Sequence, residues 1–283
     1  MKTKIMTIKQ MEQYRKHLFE DEKSKATIDK YMRDIRKLYD FLPESKSISK
    51  EAVLMFKQNL QITFKVTSVN SILTAVNSFL IFIGQAQLKM KLIKIQKRIF
   101  NNSEKNLTKD EYERLLHAAK AKNERLYILL QTICATGIRV SEHKYITKEA
   151  LLTGKCIIQN KGKVREVFFQ KKLIKKLMIY CKKHAINRGP IFITKNGNPL
   201  DRSNIWQDMK QLCIDANVEK DKVYPHNLRH LFAFTFYKIE KDLLRLADLL
   251  GHSSIETTRI YTRTSGWECC KLLSKMNLVD LEI

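Results

Sequence analysis

The chain has 283 residues, more than the roughly 100 to 200 of a typical domain, so we expect two separately folded units. It carries 53 lysine and arginine residues against 29 acidic ones, and this formal net charge of +24 indicates a polyanionic partner such as nucleic acid. No run reaches the roughly 18 to 20 apolar residues that span a bilayer, and the chain start lacks an unbroken apolar core, which excludes an integral membrane protein and predicts a soluble, cytoplasmic one.

The first predicted unit, residues 1–84, is all helical. Thr7 and Gln10 form a capping-box pattern that starts the first helix. Between Ile28 and Leu42, apolar residues recur at the spacing of one helical face, and the proline that follows ends the run. The last segment is apolar enough to form the centre of a small bundle. The predicted helices cover residues 7–19, 28–42, 50–60 and 68–83.

Residues 85–106 are basic and polar, and they predict a linker between two domains. No acidic residue occurs from Ala52 to Ser103, whereas basic residues accumulate there. Such a run can neutralise the phosphates of a nucleic acid, so we expect it to contact the polyanion. The candidate nucleic-acid-binding residues in this stretch are Lys57, Lys65, Lys89, Lys91, Lys94, Lys97 and Arg98.

The second predicted unit, residues 107–283, mixes helices with a little sheet. Thr108 and Glu111 form another capping box at its start. Two stretches rich in β-branched and aromatic residues flank an Asn-Lys-Gly-Lys turn and predict a β-hairpin. The predicted elements are strands at 156–159, 164–170 and 191–194, a helix at 171–184, and several short helices from 203 to 275. The fold class expected for the whole chain is therefore mainly α with a small β-hairpin.

Three separated segments of the second unit collect side chains that suit chemistry at a phosphodiester. A guanidinium is planar, always charged and able to bind two phosphate oxygens at once, so it stabilises negative charge that grows in a transition state. A histidine can move a proton, and a tyrosine oxygen can act as a nucleophile. The candidates are Arg139 with Glu142 one helical turn later, His226 with Arg229 on one helical face, and His252 with Tyr261 nine residues later.

Each of these residues also has an ordinary explanation when it is taken alone. Arginine and glutamate are common on helix surfaces, a histidine after a helix-ending glycine can be a cap, and tyrosines usually pack. Lys161 and Lys163 lie at the predicted hairpin turn, where solvated lysines are usual. The six cysteines form no C-x-x-C pair and no Cys/His metal spacing, so we expect reduced thiols and no metal site.

The order and spacing of the segments A-T-G-I-R-V-S-E, H-N-L-R-H and L-G-H, with Tyr261 after the last, resemble the tyrosine recombinase family, also called the phage integrase family. The resemblance covers nearly the whole chain, because residues 1–84 are similar to that family's helical core-binding domain. It implies that residues 107–283 form a mixed α+β catalytic domain that ends in a C-terminal tail helix.

The resemblance implies a role for each candidate residue. Tyr261 would attack phosphorus and leave a 3′-phosphotyrosyl link, without metal, ATP or another cofactor. Glu142 would orient the first arginine, and His230, beside the second, is expected to be structural. In the hairpin, Lys161 would protonate the leaving oxygen, with Lys163 as its competitor or as a DNA-contacting lysine. The groups expected to bind the phosphate or move protons there are Arg139, His226, Arg229 and His252.

The resemblance also implies a partner and an assembly. The partner would be double-stranded DNA with a specific core site, and the chain would form a tetramer on it during recombination or integration of a mobile genetic element. An apolar stripe near the C-terminus is expected to dock on a neighbouring protomer or back on its own domain. Its residues are Trp267, Leu272, Leu273 and Met276.

The chain departs from the family pattern at two places, and other functions stay open beside the main one. His143 stands where the family often carries a leucine, and the segment from Tyr237 to Asp242 lacks the usual glycine turn. A type IB topoisomerase-like enzyme would share the tyrosine chemistry but would relax supercoils. A non-enzymatic DNA-binding protein would keep the charge but lose the catalytic residues, and the complete set in this chain argues against it. An RNA-binding or membrane-surface protein would need only the charge.

Overall fold

The computed structural model describes residues 4–95, 105–160, 162–252 and 254–262. The chain divides into two compact units, one within residues 1–97 and the other within residues 98–283, and each has its own apolar core. Helices dominate both units, and the described strands form two small antiparallel pairs, so the predicted fold class is confirmed. The domain boundaries expected from the sequence, with a linker at 85–106, stay a prediction.

The first unit is a bundle of four helices, as its apolar periodicity predicts. Thr7 and Gln10 cap the first helix reciprocally, with bonds of 2.9 and 3.2 Å between the side chain of each and the backbone N–H of the other. Two strands of two residues each were not predicted, because so short a pairing has no periodicity. The elements are β1 (Lys4–Ile5), α1 (Ile8–Glu20), α2 (Lys25–Phe41), β2 (Ser47–Ile48), α3 (Lys50–Thr63) and α4 (Val66–Phe82).

Helix α4 forms the centre of this bundle, as its composition predicts. The side chains of Leu73, Val76, Phe79 and Leu80 are fully buried along it. The hydroxyl of Tyr14, on α1, donates to Ser78 Oγ at 2.8 Å, which satisfies a polar group that would otherwise be buried alone. The remaining helices therefore pack around α4.

Residues 89–95, here called the basic strip, run extended beside α4. Asn70 donates from Nδ2 to the Ile93 carbonyl at 2.9 Å and accepts from the Ile93 N–H at 2.8 Å. Asn77, seven residues later on the same helical face, makes the same two bonds to Met90, both at 2.8 Å. Two asparagine side chains thus replace the neighbouring strand that an extended segment normally needs for its backbone hydrogen bonds.

The second unit contains the other described helices and a β-hairpin. Thr108 and Glu111 form the predicted capping box, with bonds of 2.8 and 3.1 Å. None of the helices in the described parts of the chain combines the length and apolar character that crossing a bilayer requires. The elements are α5 (Lys109–Lys122), α6 (Glu124–Thr136), α7 (Lys148–Thr153), β3 (Lys155–Asn160), β4 (Lys163–Phe168), α8 (Lys171–Lys183), α9 (Arg202–Asp215), α10 (Pro225–Glu240), α11 (Leu243–Leu250) and α12 (Ile255–Thr258).

The hairpin prediction is confirmed, whereas the third strand predicted at 191–194 is wrong. Strands β3 and β4 pair antiparallel along their full length, from Lys155 opposite Phe168 to Asn160 opposite Lys163. The segment at 191–194 makes only an isolated bridge, in which Ile193 pairs with Pro199. A proline has no N–H to donate, so the pairing cannot extend into a ladder at this point.

Helix α10 ends without the glycine turn that the family usually has, and Lys241 takes the left-handed conformation instead, with φ +57°. A residue with a Cβ is strained there, whereas glycine is not. We expect Lys241→Gly to raise the free energy of unfolding by about 1 kcal/mol, measured by urea denaturation. The matched control is Lys238→Gly, inside the helix, which should lower it by about 1 kcal/mol. A loss of stability in both variants would contradict the expectation.

Candidate active site

Arg139 directly follows Gly137 and Ile138 at the end of α6 and starts a 3-10 helix (Val140–Tyr145). Its backbone N–H donates to Glu142 Oε2 at 2.7 Å, and its Nη1 donates to Glu142 Oε1 at 3.0 Å. The side chain of Glu142 is 2% exposed, whereas that of Arg139 is 36% exposed. The buried carboxylate therefore fixes the arginine and leaves part of its guanidinium free for an anionic ligand.

Gly137 sets the approach between α6 and α10. Its φ of +65° lies in the left-handed region, and a Cβ built on it would lie 2.4 Å from Phe232 Cδ1 on α10. Any side chain here would therefore push the two helices apart. The Gly137 carbonyl also accepts a bond of 2.7 Å from Arg229 Nη1, so this glycine connects the segments that carry the two arginines.

Arg229 is the most enclosed of the candidate side chains, since only 1% of its surface is exposed. Besides the bond to Gly137, its Nη2 donates to the Leu250 carbonyl at 2.6 Å and to His252 Nε2 at 3.1 Å. Burial, with the positive charges of nearby arginines, lowers the pKa of Arg229 to about 9, so the group stays charged at neutral pH. The backbone thus holds a permanent positive charge at the ends of α6 and α11.

His252 has a defined tautomer because its partners have fixed roles. Arg229 can only donate, so His252 Nε2 accepts, and the ring proton lies on Nδ1, 2.8 Å from Thr258 Oγ1. Burial, with the charge of Arg229 and other positive groups, lowers the pKa of His252 to about 4. The ring is therefore neutral near pH 7.

Tyr261 lies in a 3-10 helix (Arg259–Thr262) and is 4% exposed. It packs in a small apolar cluster with Ala233 of α10 and Leu246 and Leu250 of α11. Burial raises the pKa of Tyr261, while the charge of Arg229 acts in the opposite direction. The phenol consequently needs a base before its oxygen can attack.

Two histidine rings lie between this tyrosine and the arginines. The ring centroid of His230 is 5.2 Å from that of Tyr261 and 4.6 Å from that of His226. Desolvation, then the neighbouring positive charges, lower the pKa of His226, and desolvation and His226 lower that of His230 to about 4. Both rings are therefore neutral at pH 7, and the lowered pKa makes each a weaker base than a free imidazole. The contact between His230 and Tyr261 was not expected from the sequence.

The candidate residues line two cavities. Arg139, Arg229 and His226 line a cleft of about 700 Å³. Tyr261 and His230 line a second cavity of about 550 Å³. The chain thus brings the two arginines and one histidine to a common cleft, whereas Tyr261 lines the other cavity.

Sequence reasoning missed Arg165, which lies on β4 and joins the hairpin to the Arg139 segment and to the end of α11. Its Nη2 donates to Glu142 Oε2 and its Nη1 to the Leu249 carbonyl, each at 2.5 Å. One signal was available in the sequence. Arg165 alternates with Val167 and Phe169, the buried residues of the hairpin, so it falls on the inward face of the strand, where a charged residue needs a partner.

The structure describes only some of the remaining predicted residues. Lys161 lies outside the described residues, as do Lys97, Arg98 and the apolar stripe from Trp267 to Met276. Lys163 is the first residue of β4. In the first unit, Lys65 and the strip lysines Lys89, Lys91 and Lys94 are exposed, and Lys57 donates to the Lys91 carbonyl at 2.7 Å.

Lowered histidine pKa values predict that stability depends on pH. His230 and His252 have pKa values of about 4 in the folded state, against about 6.5 when unfolded. Between these values the unfolded state binds more protons, so the free energy of unfolding should fall as the pH drops below about 6.5. We expect this in urea titrations between pH 7 and 5, above the range in which carboxylates titrate. His252→Gln should flatten the curve, and a stability that is constant over this range would contradict the expectation.

The model of the phage integrase family matches residues 105–266, more than half of the chain. Tyrosine recombinase XerA of Pyrococcus furiosus is 26% identical over 290 residues, which cover 99% of this chain and 98% of XerA. Tyrosine recombinase XerH of Campylobacter jejuni is 35% identical over 167 residues, which cover 55% of this chain and 47% of XerH.

Solved structures share the fold. The XerH site-specific recombinase in its pre-cleavage complex with difH substrate matches with a TM-score of 0.70 at 20% identity, over 90% of this chain and 80% of that one. A lambda integrase tetramer bound to a Holliday junction matches with a TM-score of 0.74 at 16% identity, over 97% of this chain and 80% of that one. At such low identities the similarity is one of fold.

Proposed function

The chain belongs to the phage integrase family, and we propose that it is a site-specific tyrosine recombinase. It cuts and rejoins DNA strands through a 3′-phosphotyrosyl intermediate, without metal or ATP. The observation that carries the proposal is the cleft shared by Arg139, Arg229 and His226. Two fixed guanidinium groups can bind the non-bridging oxygens of one phosphate and stabilise the charge that grows on them during the reaction.

In the proposed first step, Tyr261 Oη bonds to phosphorus while the bond from phosphorus to the 5′-oxygen breaks. The phenol proton passes to a histidine, and His226 is the candidate from the sequence. Lys161 supplies a proton to the departing 5′-oxygen. Arg139 and Arg229 hold the phosphate throughout, so no metal ion is needed to stabilise its charge.

The second step reverses the first with another strand. The 5′-hydroxyl of a partner strand attacks phosphorus, the bond to Tyr261 breaks, and the tyrosine recovers its proton. The energy of the broken phosphodiester is conserved in the phosphotyrosyl link, so rejoining needs no ATP. His252 stays neutral in this account. It can add a hydrogen bond at the phosphate once its proton moves from Nδ1 to Nε2 and Arg229 Nη2 turns from that nitrogen to a phosphate oxygen.

The proposed substrate is double-stranded DNA with a specific core site, bound by a tetramer of this chain in the cytoplasm. The net charge of +24 supports DNA as the partner. XerH and lambda integrase, which share the fold, are bound to DNA in their structures, and lambda integrase forms a tetramer there. The lysines proposed to contact the DNA backbone are Lys57, Lys65, Lys89, Lys91, Lys94, Lys97, Arg98 and Lys163.

The test uses a duplex that the protein selects from a random-sequence pool, nicked just 3′ of the cleaved phosphate so that the short fragment diffuses away. This nicked test duplex traps the covalent intermediate. We expect a protein-DNA adduct that resists denaturant and forms in excess chelator. Loss of the adduct in chelator, restored by magnesium, would contradict the arginine mechanism. With paired intact sites, joint molecules support a recombinase, whereas supercoil relaxation alone supports a topoisomerase.

A further inference from the structure

Arg165 takes no part in the steps proposed above, yet it is held more tightly than Arg139. Its side chain is 10% exposed, against 36% for Arg139, and both of its Nη atoms have partners at 2.5 Å. Arg229 also has both Nη atoms bonded, but it lines the cleft together with Arg139, whereas Arg165 is not among the residues that line it. We infer that Arg165 is a positioning residue: it holds Glu142, and through it Arg139, in the geometry that the phosphate needs. This inference rests on the proposed function.

Arg165 and Arg139 share the carboxylate of Glu142. Glu142 Oε1 accepts from Arg139 Nη1, and Glu142 Oε2 accepts both the backbone N–H of Arg139 and Arg165 Nη2. A carboxylate that is 2% exposed is costly to keep charged unless its oxygens are paired. Without Arg165, Glu142 Oε2 would lose one of its two donors, and the carboxylate would shift toward the Arg139 guanidinium. Such a shift would move Arg139 relative to the phosphate.

Arg165 also binds the end of helix α11. Arg165 Nη1 donates to the Leu249 carbonyl and Arg229 Nη2 to the next one, that of Leu250. Two guanidinium groups thus satisfy two consecutive carbonyls at a helix C-terminus, where the helix dipole favours positive charge. His252 lies two residues further on. Arg165 therefore joins the Arg139 segment to the helix end that Arg229 also binds and that leads to His252.

Gly251 supports the same assignment. Its φ is +62°, and a Cβ built on it would lie 2.5 Å from Arg165 Cδ and 3.0 Å from Arg165 Nε. The glycine of the L-G-H segment thus leaves room for the Arg165 side chain as well as allowing the left-handed turn. A motif that the sequence connected only with His252 is also shaped around Arg165.

The test compares Arg165→Met with two other variants. Methionine keeps an unbranched side chain of similar reach without donors. We expect the rate of adduct formation on the nicked test duplex to fall about 10- to 100-fold, as for a modest displacement of a catalytic group, while binding of uncleaved duplex changes little. Arg165→Lys keeps the charge but lacks the planar guanidinium with its two terminal donor groups. Its rate of adduct formation should lie between the rates of Arg165→Met and the unaltered protein. The control is Arg125→Met, which removes a half-buried guanidinium that donates to the Ile193 carbonyl at 2.8 Å elsewhere in the same unit.

A second substrate separates positioning from general damage to the fold. A methylphosphonate at the cleaved position lacks one charged oxygen, so the arginine pair matters less for its reaction. The defects of Arg165→Met and Arg139→Ala should both shrink on it, whereas Arg125→Met should react normally on both duplexes. Should Arg165→Met fail to fold, as judged by circular dichroism, Arg165→Lys carries the comparison.

Two outcomes would overturn this inference alone. One is an equal defect on phosphate and methylphosphonate DNA, which indicates general damage. The other is recovery on DNA with a bridging 5′-sulfur instead, which would place Arg165 with the group that protonates the leaving oxygen. If the unaltered protein forms no adduct, the proposed function itself fails and the inference falls with it.

Discussion

Tyr261→Phe should abolish the covalent protein-DNA adduct on the nicked test duplex. Phenylalanine keeps the aromatic ring but lacks the oxygen that bonds to phosphorus, and the proposed mechanism has no second nucleophile. Because Tyr261 is 4% exposed in an apolar cluster, phenylalanine fits the same space, and the fold should be retained. The adduct is measured by denaturing gel electrophoresis with labelled DNA.

The matched control for this experiment is Tyr237→Phe. Tyr237 packs against the same apolar cluster, so Tyr237→Phe shows whether the loss of any tyrosine hydroxyl from this region is enough to reduce adduct formation. Tyr237→Phe should form the adduct at a normal rate. An adduct that persists in Tyr261→Phe would show that another residue attacks the phosphate.

Lys161→Ala should slow cleavage of ordinary DNA by roughly 100- to 10,000-fold, the range expected when a general acid is lost. An alkoxide leaves poorly because its conjugate acid resembles water, whose pKa is about 15.7. A thiolate leaves readily, since the pKa of a thiol is near 8.5, about that of cysteine. Replacing the bridging 5′-oxygen with sulfur should therefore restore a nearly normal rate to Lys161→Ala.

Lys163→Ala is the matched control, because the two lysines flank one glycine in the same hairpin. If Lys163 only contacts a backbone phosphate, its loss should weaken the reaction of both substrates equally. Recovery on the sulfur substrate by Lys163→Ala, and not by Lys161→Ala, would assign the proton donor to the other lysine.

Features that depend on neighbours in sequence were predictable. The capping boxes at Thr7 and Thr108, the helix ends and the hairpin each have local signals, and the structure contains them. The A-T-G-I-R segment and the H-N-L-R-H segment were expected to serve one site, and Arg139 and Arg229 do line one cleft. Their joint placement was inferred from a family resemblance rather than from any local pattern.

Features that depend on distant contacts were not predictable. Arg165 bonds to a carbonyl 84 residues away, and no pattern within β4 names that partner. His143 is similar. It is buried, its Nδ1 lies 2.5 Å from the Val140 carbonyl, and its ring meets the edge of Phe192. The Val140 carbonyl is a local partner, but the contact with Phe192 joins distant parts of the chain, and the sequence could not predict it.

The bonds from Asn70 and Asn77 to the basic strip have a consequence for the thermodynamics of DNA binding. A flexible basic segment would have to give up backbone freedom on binding, at a cost of roughly 1 to 2 kcal/mol per residue fixed. Here that freedom is lost when the protein folds, because Met90 and Ile93 are already held at both N–H and carbonyl. The exposed lysines between and beside them, which we propose contact DNA, are thus arranged before a duplex binds. In that proposal their attraction to phosphates, driven by the release of counterions, is offset by little ordering of the chain.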